Sequence, residues 1–175
     1  MKGPAATELE PRGPGVMLAV GPTFGLLPQP AWGVSLEGSW RTGRWGGALS
    51  LRYLAPVEKE YRAPVELHAQ AFGAHLGAWF EPWPELRLHA GGVTYAVLGR
   101  GVGSQVEGSG RVWAAGPVLG ALAVPARTRH LWVGVGAELH VEVVRPSFEI
   151  VPYEQIFRSS LAVGSVFLAI APVFR

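Results

Sequence analysis

The chain of 175 residues contains no cysteine. This absence excludes a disulfide framework, a thiolate zinc site and a cysteine nucleophile. Charge is scarce as well, because Asp, Glu, Lys and Arg make up 16% of the residues, against roughly 25% in ordinary soluble domains. The net charge is only +2 and the basic residues are scattered, so we expect no nucleic-acid partner. Another kind of surface must replace the usual charged one.

Long hydrophobic runs are also missing. The longest apolar stretches, 114–125 and 161–174, fall short of the roughly 20 residues of a spanning helix, and both contain proline and glycine. Residues 1–15 carry charges and lack the apolar segment of a signal peptide, so an exported protein of this sequence is expected to be a mature form or part of a longer precursor. The 24 glycines and 15 prolines disfavour a helical bundle, and the hydrophobic content of 49% disfavours disorder.

A strict two-residue alternation is present instead, and it is clearest over residues 129–143. One parity is wholly apolar: Leu131, Val133, Val135, Ala137, Leu139, Val141 and Val143. The other parity carries His130, Trp132, Gly134, Gly136, Glu138, His140 and Glu142. Successive strand residues point to opposite faces, so this pattern predicts a two-faced strand. Twelve steps of about 3.3 Å, tilted by about 45°, cover roughly 28 Å, close to the apolar band of about 25 Å on a membrane barrel.

The same alternation and its turn residues predict about eight strands. They cover residues 16–24, 31–41, 44–54, 66–80, 86–98, 111–124, 129–143 and 160–174. The parity blurs near 72–75, which predicts a bulge, and the face is predicted to change at 91–92. Residues 1–14 are predicted to be a flexible linker, and 15–175 a single barrel domain.

The predicted connections alternate in length. Those at 42–43, 81–85 and 125–129 are short, whereas those at 55–65, 100–110 and 144–159 are long. In an up-and-down barrel, alternate connections lie at the same end, and membrane barrels have short periplasmic turns. The fold class predicted is therefore all-β, an antiparallel up-and-down transmembrane β-barrel. The last long loop contains six apolar residues, which favours packing over the barrel mouth, with a partner-binding patch as the alternative.

Polar residues on the other parity are expensive in hydrocarbon and are predicted to pair inside a narrow lumen. This predicted lumen network consists of Glu37, Arg41, Arg52, Glu66, His68, Arg87, His89, Glu138, His140 and Glu142. The E-x-H-x-E face of 138–142 could present ligands to a metal, but a spacing of about 6.6 Å does not by itself make a chelate. Ser35, Ser39 and Ser50 lie in no nucleophile motif. We therefore predict no catalytic residue, no metal and no cofactor.

Aromatic residues concentrate near strand ends, as interfacial girdle residues do. The predicted girdle consists of Trp32, Trp40, Trp45, Tyr53, Trp83 and Phe174. Burial of the tryptophans in a core is the alternative.

Taken together, these features resemble the small eight-stranded outer-membrane barrels of Gram-negative bacteria. The resemblance is carried by the hairpin W-G-V-S-L-E-G-S-W-R-T-G-R-W-G-G-A-L-S-L-R-Y (32–53), the strand L-W-V-G-V-G-A-E-L-H-V-E-V (131–143) and a last strand with Val166, Leu168, Ile170, Pro172 and Phe174 in register. Family members usually end on an aromatic that resembles an assembly signal, whereas Arg175 follows Phe174 here. The resemblance implies insertion in the outer membrane and no catalytic residues.

The predicted function is that of a structural or anchoring outer-membrane barrel with a filled lumen, because about eight strands leave room only for side chains. Its expected partners are outer-membrane lipid and the barrel-assembly machinery, and we expect a monomer. Two alternatives remain open from the sequence. One is a soluble up-and-down barrel that binds a small apolar ligand, and the other is a barrel enzyme that modifies envelope lipid.

Overall fold

The computed structural model is a closed barrel of antiparallel strands in the order β1-β10-β7-β6-β5-β4-β3-β2. It describes residues 13–62, 65–102, 108–128, 130–149 and 155–173. The barrel strands are β1 (Gly13–Phe24), β2 (Ala31–Thr42), β3 (Trp45–Arg62), β4 (Val65–Trp83), β5 (Leu86–Val102), β6 (Gly108–Arg127), β7 (Leu131–Val141) and β10 (Ala162–Pro172). A separate short hairpin, β8 (Ser147–Glu149) and β9 (Gln155–Arg158), lies between β7 and β10. The predicted eight-stranded up-and-down barrel is confirmed.

Strand β7 keeps the predicted alternation along its whole length. Val135 and Leu139 on the apolar parity are 45% and 52% exposed on the outside of the barrel, whereas His140 on the other parity is 1% exposed. Large apolar side chains cover the outside of the other strands too, with Leu76 68% exposed. An apolar belt of this extent is costly in water and favourable in lipid. This belt argues against the alternative of a soluble barrel.

The chain turns tightly at one end of the barrel. The turn between β2 and β3 is centred on Gly43, whose φ of 65° lies in the left-handed region that glycine tolerates. Short turns also join β4 to β5 and β6 to β7. Because β1 begins at Gly13, which pairs with Arg41, the last two residues of the predicted linker belong to the barrel instead. No helix in the described part of the chain is long and apolar enough to cross a membrane.

Two predicted loops are strands in the structure. β3 continues to Arg62 and β4 begins at Val65, where a loop over 55–65 was expected. β5 continues to Val102 and β6 begins at Gly108, where a loop over 100–110 was expected. These four strands consequently extend beyond the rest of the barrel at the end opposite the short turns. The prediction failed because charged and glycine residues were taken as loop signals, although they also occupy the water-facing side of an extended sheet.

The predicted bulge near 72–75 and the predicted change of face at 91–92 are wrong. β4 pairs with β5 in unbroken register from Glu66↔Val102 to Phe80↔Leu88. A bulge instead lies in β3, between Leu54 and Val57. The odd-numbered residues of β4 therefore face inward all the way from Leu67 to Trp79. The sequence pattern changes because the surroundings of the strand change, not because the backbone does.

Two apolar clusters fill much of the barrel interior. The upper cluster, at the end with the strand extensions, contains Leu26, Leu54, Tyr95 and Val97, and Phe148 of β8 packs against it. A Cβ at Gly99 would meet the Phe148 ring at 2.3 Å, so glycine is what lets the hairpin approach β5 closely. The lower cluster consists of Met17, Ala19, Leu122, Phe167, Ala169 and Ala171.

Candidate lumenal site

Glu138 of β7 is the centre of a charge network in the lumen. Arg52 of β3 donates from Nη2 to Glu138 Oε2 over 2.7 Å. His89 Nε2 lies 3.2 Å from the other oxygen, Oε1, and His140 Nε2 lies 3.4 Å from Oε2. The side chains of Arg52 and Glu138 are 13% and 8% exposed, so this ion pair is shielded from solvent. Such a pair persists because both charges are matched by close partners.

Arg52 also connects this centre to other strands. Its Nη1 donates to the Tyr95 hydroxyl over 3.5 Å and to Ser165 Oγ over 3.4 Å. Ser165 and Thr23 share a further hydrogen bond of 3.0 Å between their hydroxyls. The Tyr95 ring stacks on His140 with centroids 6.0 Å apart. These contacts join side chains from opposite walls of the barrel.

A second charge group lies nearer the short turns. Glu81 accepts from Arg87 Nη2 over 3.1 Å and pairs with Arg41 Nη2 over 2.7 Å. The Arg87 guanidinium stacks over the Trp79 ring, 4.3 Å from its centroid, which adds a cation–π contact. Arg87 Nη1 also lies 3.6 Å from Glu37 Oε1, an ion-pair contact too long for a hydrogen bond. Cations and carboxylates thus alternate across the lumen.

Most of the predicted lumen residues are brought together by these two groups. They are Glu37, Arg41, Arg52, Arg87, His89, Glu138 and His140. Glu142 is buried at 1% exposure just beyond β7, and its two carboxylate oxygens make no hydrogen bond with any residue that the structure describes.

Glu66 and His68 were assigned to the lumen wrongly. Both lie on the outer face of β4, where His68 Nε2 is 3.5 Å from Glu66 and His68 Nδ1 is 3.1 Å from Glu58 of β3. Their side chains are 54% and 33% exposed. In this part of β4 the inward positions, such as Leu67, are apolar and buried. The polar outer face and apolar inner face indicate that this part of the strand lies beyond the apolar belt.

The sequence pattern missed His75 and Glu81. His75 faces inward and its ring centroid lies 5.8 Å from that of His89. It was overlooked because it lies in the segment that was expected to bulge. Glu81 was placed in a turn, whereas β4 runs to Trp83. Treating β4 as one uninterrupted strand would have placed both residues on the inward parity.

The arrangement can neutralise charge and fill space, but it offers little room for a ligand. Ser50, His75 and Glu138 line one cavity of about 10 Å³, and the cavity between His75, His89 and Glu138 measures about 20 Å³. A site for one water needs roughly 10–15 Å³, so each cavity has room for about one water and not for a larger ligand. The described residues form no group of three or more His, Asp or Glu that could hold a metal ion.

Comparison with solved structures adds to this geometry. A major outer membrane protein from Thermus thermophilus has a TM-score of 0.68 at 12% identity, over 93% of this chain and 99% of that one. Ail, the attachment invasion locus protein of Yersinia pestis, has a TM-score of 0.60 at 12% identity, over 93% and 99%. Neisserial surface protein A has a TM-score of 0.52 at 9% identity, over 93% and 97%. No protein-family model matches the sequence, and no curated protein matches it significantly.

The chain has the fold of the eight-stranded outer-membrane β-barrels. The predicted transmembrane β-barrel fold is confirmed. Because the sequence identities are only 9 to 12%, the likeness shows the fold alone.

The barrel carries aromatic side chains at both rims of its apolar belt. Of the predicted girdle, the structure places Trp32, Trp40, Trp45 and Trp83 on the outside with about three-fifths of each side chain exposed. At the short-turn rim, Trp45 contacts Phe80 with centroids 4.5 Å apart. At the other rim, Tyr53 contacts Phe72 at 4.9 Å, and the exposed Trp113 was missed by the sequence pattern. Phe174 lies outside the described residues.

Proposed function

We propose that this protein is an outer-membrane barrel with a structural or anchoring role, that its lumen is closed and that it acts without catalysis. The observation that carries the proposal is the filling of the lumen. The Glu138 network and the two apolar clusters occupy the interior, and three cavities between them measure about 10 to 20 Å³ each. A cavity of this size holds about one water.

The outer surface supports an anchoring role. Apolar side chains face outward between two aromatic rims, which is the arrangement that holds a barrel in a bilayer. Beyond the belt, β3 to β6 continue and carry a polar outer face into water. The expected partners remain outer-membrane lipid and the barrel-assembly machinery, and the expected state is a monomer. The lipid-modifying alternative has less support, because Ser50 and His75 are enclosed in the lumen and not open to lipid.

Refolding followed by gel electrophoresis tests the membrane assignment. We expect the unheated protein to migrate as a compact form after refolding in detergent micelles, and to shift when it is heated. Monomeric folding in plain buffer would contradict the proposal.

Planar-bilayer recording tests the closed lumen. We expect no discrete conductance from the wild-type protein. The double variant Leu54→Ala/Tyr95→Ala removes two large side chains of the upper cluster and is expected to leak. Its matched control is Leu49→Ala/Leu51→Ala, which truncates two lipid-facing side chains of β3. Stable conductance steps from the wild type would overturn the closed lumen and favour a pore.

A further inference from the structure

The hairpin of β8 and β9 continues the ladder between β7 and β10 after a short interruption. The ladder ends where the Glu142 N–H donates to the Leu161 carbonyl over 2.8 Å. The hairpin begins where the Ser159 N–H donates to the Pro146 carbonyl over 3.0 Å. Between these two bonds, residues 143–145 on one side oppose a single residue on the other. Extra residues on one strand bend it, so this segment is a hinge for the hairpin.

The hairpin lies over the mouth of the barrel as a lid. Phe148 packs against the upper cluster and lies beside Gly99 of β5. Arg145 of the hinge closes the base of the lid, because its Nε donates to the Ser159 carbonyl over 3.0 Å and its Nη2 donates to the same oxygen. An apolar contact and this charged clasp therefore hold the lid in place.

Glu142 is enclosed at the hinge without a partner. It lies beyond Val141, the last residue of the spanning strand β7. Its side chain is 1% exposed, and neither carboxylate oxygen accepts a hydrogen bond from any residue that the structure describes. A buried carboxylate that lacks hydrogen bonds is costly in its ionised form. The hinge is thus closed around a group that favours the protonated state.

The surroundings of Glu142 offer it one cation, and that cation is engaged elsewhere. The titratable and charged groups that face it are Tyr95 of β5, His140 of β7 and Arg145 of the hinge. The inward residues beside it on β6 and β10, Gly116 and Val163, carry no charge. Burial raises the pKa of Glu142 from 4.5 to about 7, against the opposite effect of Arg145. Desolvation outweighs the attraction because the guanidinium is used on the Ser159 carbonyl.

We propose that the hairpin of β8 and β9 is a pH-sensitive lid, which is closed while Glu142 is protonated and opens when Glu142 ionises. An ionised Glu142 must gain either water or the Arg145 guanidinium, and both changes undo the clasp. The closed lid binds one proton more than the open lid, so its stability is highest in acid and falls as the pH rises from 4.5 to about 7. Glu138 lies four residues deeper in β7, so the lumen stays filled when the lid opens.

Trypsin cleavage after Arg158 tests the proposal. Arg158 is exposed, but the bond that follows it leads to the fully buried Ser159, so cleavage there requires the hinge to open. The protein is folded in detergent micelles and digested briefly at pH 6, 7 and 8, and mass spectrometry quantifies the fragment that begins at Ser159. Each rate is divided by that of a small arginine substrate at the same pH, which removes the pH dependence of trypsin itself. We expect the ratio to rise roughly tenfold from pH 6 to pH 8.

Three kinds of variant locate the proton. Glu142→Gln and Glu142→Leu keep the side chain uncharged, so cleavage should stay slow and independent of pH. Arg145→Gln removes the clasp and should be cleaved rapidly already at pH 6. The matched control is Glu66→Gln, which changes an exposed glutamate of β4 and should keep the tenfold rise.

Two results would overturn the lid and one would overturn its sensor. A wild-type ratio that is constant from pH 6 to pH 8 would exclude a pH-sensitive lid. Cleavage after Arg111 that rises in parallel, or a heat-dependent gel shift that is lost at pH 8, would show that pH acts on the whole barrel. A tenfold rise that persists in both Glu142 variants would show that another group carries the proton.

Discussion

The lower and upper parts of β4 and β5 have the same backbone geometry and opposite patterns of polarity. In the lower part the outward Leu76 is apolar, while His75 and His89 face the lumen. In the upper part the outward His68 is polar, while Leu67 and Val97 are buried inside. No break in the pairing of these strands separates the two parts.

The difference shows that the solvent around each part of a strand decides which of its faces is polar. Whether that face points into or out of the barrel does not decide it. In hydrocarbon, unpaired polar groups are expensive, so charges turn inward and pair with one another. Above the bilayer the outer face meets water, and the ordinary burial of apolar side chains resumes. β4 and β5 therefore reverse their pattern without a bulge in the ladder that joins them.

The largest effect is expected from breaking the lumenal ion pair. Arg52→Met should lower the free energy of unfolding by about 3–5 kcal/mol, because Glu138 would remain buried without its closest cation. Urea titration in lipid vesicles, followed by tryptophan fluorescence, measures this loss. Arg111→Met, at an exposed position on the water-facing upper part, is the comparison and should change stability by no more than about 0.5 kcal/mol.

The double variant Arg52→Met/Glu138→Gln separates a lost charge pair from lost packing. Removing both charges should restore more than half of the stability lost in Arg52→Met. Equal losses in the single and double variants would show that the arginine acts by filling space.

A cation placed on the outer face should separate the two parts of β4. Leu76 lies midway between Phe72 and Phe80 on the lipid-facing side, so Leu76→Arg should cost about 2–4 kcal/mol of unfolding free energy. His68→Arg introduces a similar side chain on the same face of the same strand and should cost little. The same vesicle titration compares them. Similar losses for the two variants would mean that the belt extends over the upper part.

Overpacking should also distinguish the inner face from the outer face, with a smaller loss of stability. Ala71 is fully buried in the upper cluster, so Ala71→Leu should cost about 1–3 kcal/mol. Ala78→Leu adds the same volume on the lipid-facing side, where hydrocarbon yields to it, and should be close to neutral. Thermal unfolding in micelles is sufficient for the ranking. A tolerated Ala71→Leu would show that the upper lumen is loosely filled.

The smallest effect is expected at the boundary between the two parts. Tyr53→Phe removes the hydrogen bond to Gln70 and should cost about 0.5–1.5 kcal/mol. Combination with Gln70→Leu should add little to the loss, because both changes remove one interaction. Additive losses in this double-mutant cycle, measured by urea titration, would contradict the contact.

The fold was predictable wherever a strand stays in one environment. β7 and β10 alternate along their whole length within the apolar belt, and the structure keeps their predicted faces. β4 was interpreted wrongly at its upper end. The polar Glu66 and His68 lie on the same face of the strand as the apolar Leu76, and the sequence does not mark where lipid gives way to water. The same limit hid His75.

The site was only partly predictable, for a related reason. The inward parity identified Glu138 and His140 from one strand, and Arg52 from another. Their pairing depends on barrel closure, which brings residues 86 positions apart to 2.7 Å.

The sequence by itself determined that the chain forms about eight two-faced strands with an apolar face, because side-chain alternation along a strand is a local property. Only the tertiary structure decided where that face meets lipid and which charges pair across the lumen. Those outcomes depend on the register between strands and on the height at which each strand leaves the bilayer, and neither quantity is written in any single segment.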